Sequence, residues 1–442
     1  MTTPDPAEAP PSSAGSGPGS HLDRRHFIGA GSAFALGLLV NGGNMYAEEF
    51  AVPVAAGGDA AATPVGCAVI GLGEQGRALL TALSNTAGAN VVRICDRYEG
   101  IHGRAQELAP KATVGTDAKE VFDDKNVQAV WIATPTHQHK ELVLAALAAG
   151  KHVYCEMPLA HTIDDARTIA AAAAQSAGKV VFHSGLQQRT NPRHLHVLKF
   201  IRTGSLGKVA MGRAHWHRRT SWRRAAATDA RAKDLNWRLD KNLSLGLIGE
   251  IGIHQLDVAS WFLKSLPVAV GGAGAIRAWD DGRQVADTVQ ALIEYADGVN
   301  LSYDATLANS FDGFGEAFLG TDAAVLLRDH RAWMFKEADA PALGWEVYAY
   351  REKLGDENGI ALVADATKIL AAGKKPGENR EVDPKRTAPV TACDAFLNAI
   401  RTKQPSACDA LAGFQATVTA IKANEAIATR TRIELKPEWF QL

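Results

Sequence analysis

The stretch from Gly66 to Asp96 constrains this chain more than any other. Gly66-Cys67-Ala68-Val69-Ile70 reads as a buried strand that runs straight into Gly71-Leu72-Gly73-Glu74-Gln75-Gly76. Leu79, Leu80 and Leu83 then recur at helical spacing, and a second apolar run, Asn90 to Cys95, ends at Asp96. G-x-G-x-x-G alone is a weak signal. Between a strand and a helix, with an acid about 20 residues further on, it specifies a dinucleotide-binding turn. The glycines allow a tight turn and close backbone approach, the pyrophosphate rests on the helix N-terminus, and the acid accepts from the ribose hydroxyls. Gly71, Gly73, Glu74, Gln75, Gly76 and Asp96 are therefore the first expected cofactor residues. A carboxylate at Asp96 repels a 2′-phosphate, which favours NAD, while the adjacent Arg97 leaves NADP open.

The alternation continues. Strands are expected at Gln128–Ala133, His152–Cys155 and Lys179–His183, with helices near 138–149 and 164–177, the pattern of a doubly wound parallel sheet. Further on, apolar and polar residues alternate at Thr288–Glu294, Val299–Tyr303 and Ala324–Leu327, with Asp297-Gly298 as a hairpin turn, which indicates an antiparallel sheet. Gly344–Lys385 reads as a loop-like insertion, and helices are expected at Ala392–Arg401 and Ala410–Ala428. The chain has 442 residues, room for about two or three domains. We divide it into a leader and linker (1–63), a nucleotide-binding domain (64–185), a second α/β domain (186–390) and C-terminal helices (391–442). The net charge of −1 provides no basic field for nucleic acid. The cysteines at 67, 95, 155, 393 and 408 form no C-x-x-C pair, so neither a zinc ribbon nor a disulfide scaffold is expected.

Residues 2–20 are rich in Pro, Ala, Ser and Gly and are set apart from the fold. Arg24-Arg25 then precedes a mostly apolar run from Phe27 to Val40, with a small-residue stretch near Ala47. As a helix that run spans only about 21 Å, short of the roughly 30 Å hydrocarbon core, so no stable membrane span is expected in the mature protein. The order of features resembles a twin-arginine export signal, which implies the twin-arginine machinery as a partner and a periplasmic destination. That route carries folded proteins, so a cofactor loaded before export must stay bound. At a k_on of about 10⁶ M⁻¹s⁻¹, a Kd of about 1 nM holds it for only about a quarter of an hour. Retention for many hours needs a Kd of roughly 10⁻¹¹ M and recycling in place.

Ala133-Thr134-Pro135-Thr136-His137-Gln138-His139 is followed by Ala148-Ala149-Gly150-Lys151-His152-Val153-Tyr154-Cys155-Glu156-Met157-Pro158. Gly185-Leu186-Gln187-Gln188-Arg189 with Pro192, Gly204 with Gly207, and Gly249-Glu250-x-Gly252-x-His254-x-x-Asp257 come next. In this order the motifs resemble the glucose–fructose oxidoreductase / inositol dehydrogenase / MocA (Gfo/Idh/MocA) family. The resemblance is clear over about residues 65–330 and weak over 391–440. It implies a Rossmann domain followed by an α/β domain with an open, mostly antiparallel sheet. It also implies a nicotinamide held between the two, a carbohydrate or polyol substrate and a homo-oligomer. By the same resemblance Thr134, Pro135, His139, Glu156 and Met157 lie at the cofactor, and Arg189 near it at the substrate.

The chain departs from the family at two points. Met157 stands where the family's E-K-P signature has a lysine that helps take the hydroxyl proton, and methionine neither accepts nor donates one. Glu250 stands in place of the aspartate ahead of the family's histidine. At i, i+4 and i+7, Glu250, His254 and Asp257 line one helix face. One reading makes His254 the general base, oriented by Glu250 or Asp257, in oxidation of a sugar, polyol or glycoside hydroxyl, since an imidazole pKa of about 6.5 suits that task. A second follows the family's NAD-dependent glycosidases, which oxidise a sugar carbon transiently and return the hydride. A third is a non-catalytic nucleotide- or sugar-binding protein. The three residues also match metal ligands with His183 or His217 as a fourth, but the family context accounts for them with no metal. Trp237, Tyr303 and Tyr154 are candidate substrate-pocket residues, although aromatic residues more often fill cores. The run from His215 to Arg224 mixes aromatic and basic side chains suited to a sugar face or an anionic substituent, or to a solvated strand and loop.

Overall fold

The computed structural model describes residues 63–328, 331–349, 351–362 and 387–442. The Arg24-Arg25 segment and residues 363–386 lie outside the described residues.

The first domain is built on β1 (Val65–Ile70), β2 (Ala89–Cys95), β3 (Thr113–Gly115), β4 (Ala129–Ile132), β5 (His152–Cys155) and β6 (Phe182–Ser184). They pair in the order β3-β2-β1-β4-β5-β6, every pair parallel. This strand order places the reversal between β1 and β4, where a dinucleotide crosses the carboxyl ends of the strands. Helices α1 (Glu74–Ser84), α2 (His139–Ala148) and α3 (Ile163–Gln175) cover the sheet. The last strand is shorter and later than its sequence suggests, because Lys179 already bonds back to Ser176 in the turn that closes α3.

After α4 (Pro192–Arg202), a second sheet of ten strands forms. Its members are β7 (Val209–His217), β8 (Pro267–Ala275), β9 (Thr288–Tyr295), β10 (Asn300–Thr306), β11 (Phe314–Gly320), β12 (Ala323–Arg328), β13 (Arg331–Lys336), β14 (Arg351–Leu354), β15 (Glu357–Ala361) and β16 (Ile433–Glu434). Among its neighbours only β7 and β10 run parallel. Between β7 and β8 lie α5 (Asp229–Leu235) and α6 (Ile253–Leu263), and α6 is entered through a π-helical turn over Ile248–Gly252. Gly252 lets that turn seat on β10, since a Cβ there would meet the Tyr303 ring at 2.8 Å.

Two features differ from the sequence reading. Part of the supposed loop 344–385 is a hairpin: β14 and β15, joined at Gly355-Asp356, extend the second sheet along β13. The charged Arg351-Glu352-Lys353 conceals its alternation, and Glu352 accepts from the Trp333 indole N–H at 2.8 Å. The C-terminal helices also belong to the two sheets. Cys393, Phe396 and Leu397 of α7 (Ala388–Thr402) complete the core under the first sheet, where Phe396 meets Trp131 edge-on at 5.1 Å. Helix α8 (Ala410–Thr429) touches both domains, Gly413 against Ser184 of β6 and Ile427 against Gly272 and Gly274 of β8. No described helix is long and apolar enough to cross a membrane.

Candidate active site

The glycine turn is shaped as a cradle. Gly71 has φ +90°, and a Cβ on it would lie 2.7 Å from the Ala133 backbone; one on Gly76 would strike the Gly71 carbonyl oxygen. Gly73 is the opposite case, because a Cβ there would meet nothing within 4 Å. Its glycine is therefore not required by the protein's own packing, and the open space at the N-terminus of α1 fits a pyrophosphate. Asp96 is oriented toward this turn: one carboxylate oxygen accepts from Leu72 N–H at 2.8 Å and the other from Tyr98 N–H at 2.9 Å.

The opposite wall comes from the strand ends that follow. After β4, His139 is buried with its two ring nitrogens 2.9 Å from the carbonyl oxygens of Thr134 and Pro158. Burial pushes its pKa down to about 4, so a neutral ring donates to one of them and links the loops after β4 and β5. His139 thus shapes the site instead of presenting a free ring nitrogen to it. Glu156, just past β5, accepts from the Gln75 side chain at 2.9 Å and from Gln187 at 3.3 Å. This joins the glycine turn, the loop after β5 and the loop after β6 at one carboxyl group. Burial raises the Glu156 pKa to about 7, opposed by these hydrogen bonds, by Met157 N–H and by the positive charge of Arg238. Met157 is 7% exposed.

A hydrogen bond ties the first domain to the second, and an ion pair ties the loop after β6 to α6. Thr136 Oγ1 donates to Glu250 Oε2 at 3.1 Å, and Glu250 Oε1 accepts from Leu245 N–H at 3.0 Å. Arg189 grips Asp257 with both Nε and an Nη, the shortest contact 2.8 Å, with both side chains largely buried. His254 lies between these carboxylates, half-buried, and makes no side-chain hydrogen bond among the described residues. Burial lowers its pKa, and the nearby Asp257 and Glu316 carboxylates oppose that shift only in part. Burial likewise raises the pKa of Glu250. The expectation that Glu250 or Asp257 orients His254 is not met. The wide π turn carries Glu250 off toward Thr136, and Asp257 is taken by Arg189.

Other expected residues separate. Trp237 is 7% exposed and packs on His137 with ring centroids 5.9 Å apart, beside the crevice. Tyr303 is 1% exposed, its ring pressed on Gly252, and Tyr154 is fully buried between Trp131 and His183; both belong to cores, not to a substrate wall. Arg189 is engaged by Asp257 and does not present a free guanidinium. Among the described residues no group of three His, Cys, Asp or Glu is placed to hold a metal ion. His183 bonds Ser406, and His217 pairs with Asp304.

The basic and aromatic stretch supplies residues that the sequence did not single out. Residues 218–240 fold back over the nucleotide side: Arg224 pairs with Glu74 at 2.6 Å, Asp234 with Arg97 at 3.7 Å, and Arg231 stacks on Tyr98 at 3.9 Å. Glu74, an acid at the first turn of a helix that would carry a pyrophosphate, is thereby compensated. Arg97 is likewise engaged.

Fold and site together define a two-domain protein with a dinucleotide-binding domain and a second domain built on a mostly antiparallel sheet. Residues 65–184 match the model of the oxidoreductase family with NAD-binding Rossmann fold, and residues 194–325 match the Gfo/Idh/MocA C-terminal domain, together more than half of the chain. The chain belongs to the Gfo/Idh/MocA family of oxidoreductases, and its first domain is the family's NAD-binding domain. It is similar to levoglucosan dehydrogenase of Pseudarthrobacter phenanthrenivorans, 28% identical over 212 residues, which are 43% of this chain and 52% of that protein. It is also similar to inositol 2-dehydrogenase 2 of Saccharopolyspora erythraea, 31% identical over 199 residues, 45% of this chain and 52% of that one. The chain spans about half the length of these curated relatives. The fold matches solved levoglucosan dehydrogenase in complex with NADH and L-sorbose at a TM-score of 0.68 and 19% identity, over 85% of this chain and 99% of that one.

The two glycines predict opposite outcomes. Gly73→Ala should leave the stability of the ligand-free protein within about 0.5 kcal/mol and weaken NAD binding at least roughly tenfold. Gly71→Ala should destabilise the protein itself by at least about 2 kcal/mol, read by denaturant unfolding. The Glu156 proton gives a third outcome. Because its folded pKa lies above the ordinary 4.5, the folded state keeps a proton that the unfolded chain releases, and stability falls as pH rises from 4.5 to about 7. Glu156→Gln removes this slope and should gain about 2–3 kcal/mol relative to the parent between pH 5 and pH 8. Parallel stability profiles for the two would contradict the burial assignment.

Proposed function

We propose that this chain is an exported NAD(P)-dependent oxidoreductase that acts on a hydroxyl of a sugar, polyol or glycoside and keeps its cofactor bound through repeated turnover. The observation that carries the reading is the crevice itself. The turn is open at Gly73, the His254 ring has no protein hydrogen-bond partner among the described residues, and the Thr136–Glu250 hydrogen bond ties the nucleotide domain to the π turn that leads into the helix of His254. The names of the relatives, which act on levoglucosan and inositol, support a polyhydroxylated substrate. The order of residues 24–40 supports export, and the return of residues 218–240 over the nucleotide side supports slow release of the cofactor.

The dinucleotide, when bound, supplies the hydride acceptor. Gly71–Gly76 and Asp96 seat it, and Glu156 ties the glycine turn to the loops that face the second domain. His254, neutral at pH 7 because of its burial, takes the hydroxyl proton. Asp257 anchors its helix through Arg189, and Glu250 anchors the π turn through Thr136. Met157 fills the family's lysine position with an apolar contact, so the proton leaves through imidazole alone.

One observation favours a second reading. A buried methionine next to the reacting centre removes a relay that net alcohol oxidation uses, which suits a redox-neutral cycle in which a glycoside is oxidised, cleaved and reduced again. Supplying external NAD distinguishes the two, since only net oxidation accumulates NADH.

His254→Ala tests the proposal. Turnover, whether followed as NADH or as glycoside cleavage, should fall by well over tenfold while the bound dinucleotide content stays unchanged. In the parent enzyme kcat/KM should be flat above neutrality and decline on the acid side below the ordinary imidazole range, and that limb should vanish in the variant. Unchanged turnover in His254→Ala would refute the assignment.

A further inference from the structure

Arg238 stands out among the arginines near the crevice. Arg189 is spent on Asp257, Arg224 on Glu74 and Arg223 on Asp281. Arg238 is exposed, has no carboxylate within ion-pair distance among the described residues, and lies over the Trp237 ring at 4.7 Å and the Trp222 ring at 6.0 Å. A guanidinium held over two indoles keeps its planar fork oriented and free to bind. Its place is the crevice wall, for Trp237 packs on His137, next to the Thr136 that bonds Glu250.

The platform is held under strain. Trp222 has φ +63°, a left-handed conformation that a bulky residue disfavours and that persists only where its neighbours impose it. Those neighbours are present. The buried Arg283 donates to the Ser221 carbonyl while paired with Asp281, and Arg224 N–H donates to Asn236 Oδ1 at 2.7 Å. Beside it His137 and His161 stand edge to face at 6.3 Å, each with a buried Nδ1 that has no hydrogen-bond partner. Burial, then the proximity of His161, keeps His137 neutral at pH 7. Two indole faces, two unpartnered imidazole nitrogens and one free guanidinium thus meet at a single corner.

We propose that Trp222, Trp237 and Arg238, with His137 and His161, form a subsite for an acidic sugar, in which Arg238 binds the carboxylate of a hexuronate or sugar acid. This rests on the carbohydrate reading of the crevice and names its substrate class. The half-exposed Trp222 indole offers an apolar surface to the C–H face of a sugar ring, the buried Trp237 backs Arg238, and the imidazole nitrogens offer partners to its hydroxyls. A single planar fork matches a carboxylate in bidentate geometry. The arginine does not move a proton; it orients the ring for His254.

The test is binding to the dinucleotide-loaded protein, measured by calorimetry with D-glucuronate against D-glucose, D-galacturonate against D-galactose, and D-gluconate. At least one acid should bind about tenfold or more tighter than its neutral counterpart. Arg238→Gln should abolish that preference, and Arg238→Lys should restore only part of it, because an ammonium lacks the fork. Trp222→Ala should weaken acid binding as well and provides a second variant at the same corner. Dinucleotide content should be unchanged in all of them. Equal binding of acids and neutral sugars, or no binding of any acid, would overturn the proposal. Loss of dinucleotide from Arg238→Gln would also overturn it, because the arginine would then serve the cofactor's phosphates. Acid-selective binding with neither NADH formation nor glycoside cleavage would leave the subsite standing and refute the catalytic reading.

Discussion

The buried ion pair between Arg189 and Asp257 is the constraint on which the crevice depends. It joins the loop after the last parallel strand to the helix that carries His254, with Asp257 3% exposed and Arg189 19%. Removal of either partner would leave an uncompensated charge inside the protein, a loss of roughly 3–5 kcal/mol. The Thr136–Glu250 hydrogen bond makes a second attachment, from the loop after β4, and α8 touches Ser184 at one end and β8 at the other. The facing walls are therefore set by contacts within the protein before any ligand enters. That is the form of pre-organisation a site needs to hold two reactants in line.

The same constraint settles which charges remain for chemistry. Asp257 and Arg189 neutralise one another, so neither is free to steer a substrate or a proton. Burial holds Glu156 and Glu250 toward their protonated forms and His254 and His139 toward their neutral forms. Among the described residues, Arg238 keeps its charge without an ion-pair partner near these buried groups, and the His254 imidazole has no hydrogen-bond partner. A site of this kind suits transfer of a hydride and a proton between neutral carbon and oxygen centres.

Much of this was legible in the sequence because it depends on local chemistry. The strand, glycine turn and acid between Gly66 and Asp96 carry their own geometric demands, and the structure meets them through Gly71, Gly73 and the Leu72–Asp96 hydrogen bond. The alternation in Thr288–Glu294 and Val299–Tyr303 likewise announced antiparallel strands, and these pair as β9 and β10. What escaped depends on partners far away in the chain. Nothing near residue 257 signals that its carboxylate meets a residue 68 positions earlier. An ideal-helix spacing places Glu250 over His254, but the π turn at Ile248–Gly252 shifts it. The hairpin of β14 and β15 hid behind charged residues, and the contribution of α7 to the first core left no periodic trace that distinguishes it from a separate helical tail. Arg238 carried no local signal. It acquires meaning only from Trp222, 16 residues earlier, and from the histidines beneath.

The most direct test of the account is to denature the purified protein without added cofactor, then identify and quantify the dinucleotide released. The account predicts roughly stoichiometric NAD, or NADP if Arg97 leaves Asp234 to serve a 2′-phosphate. A preparation that releases none and binds neither NAD nor NADP on titration would contradict it.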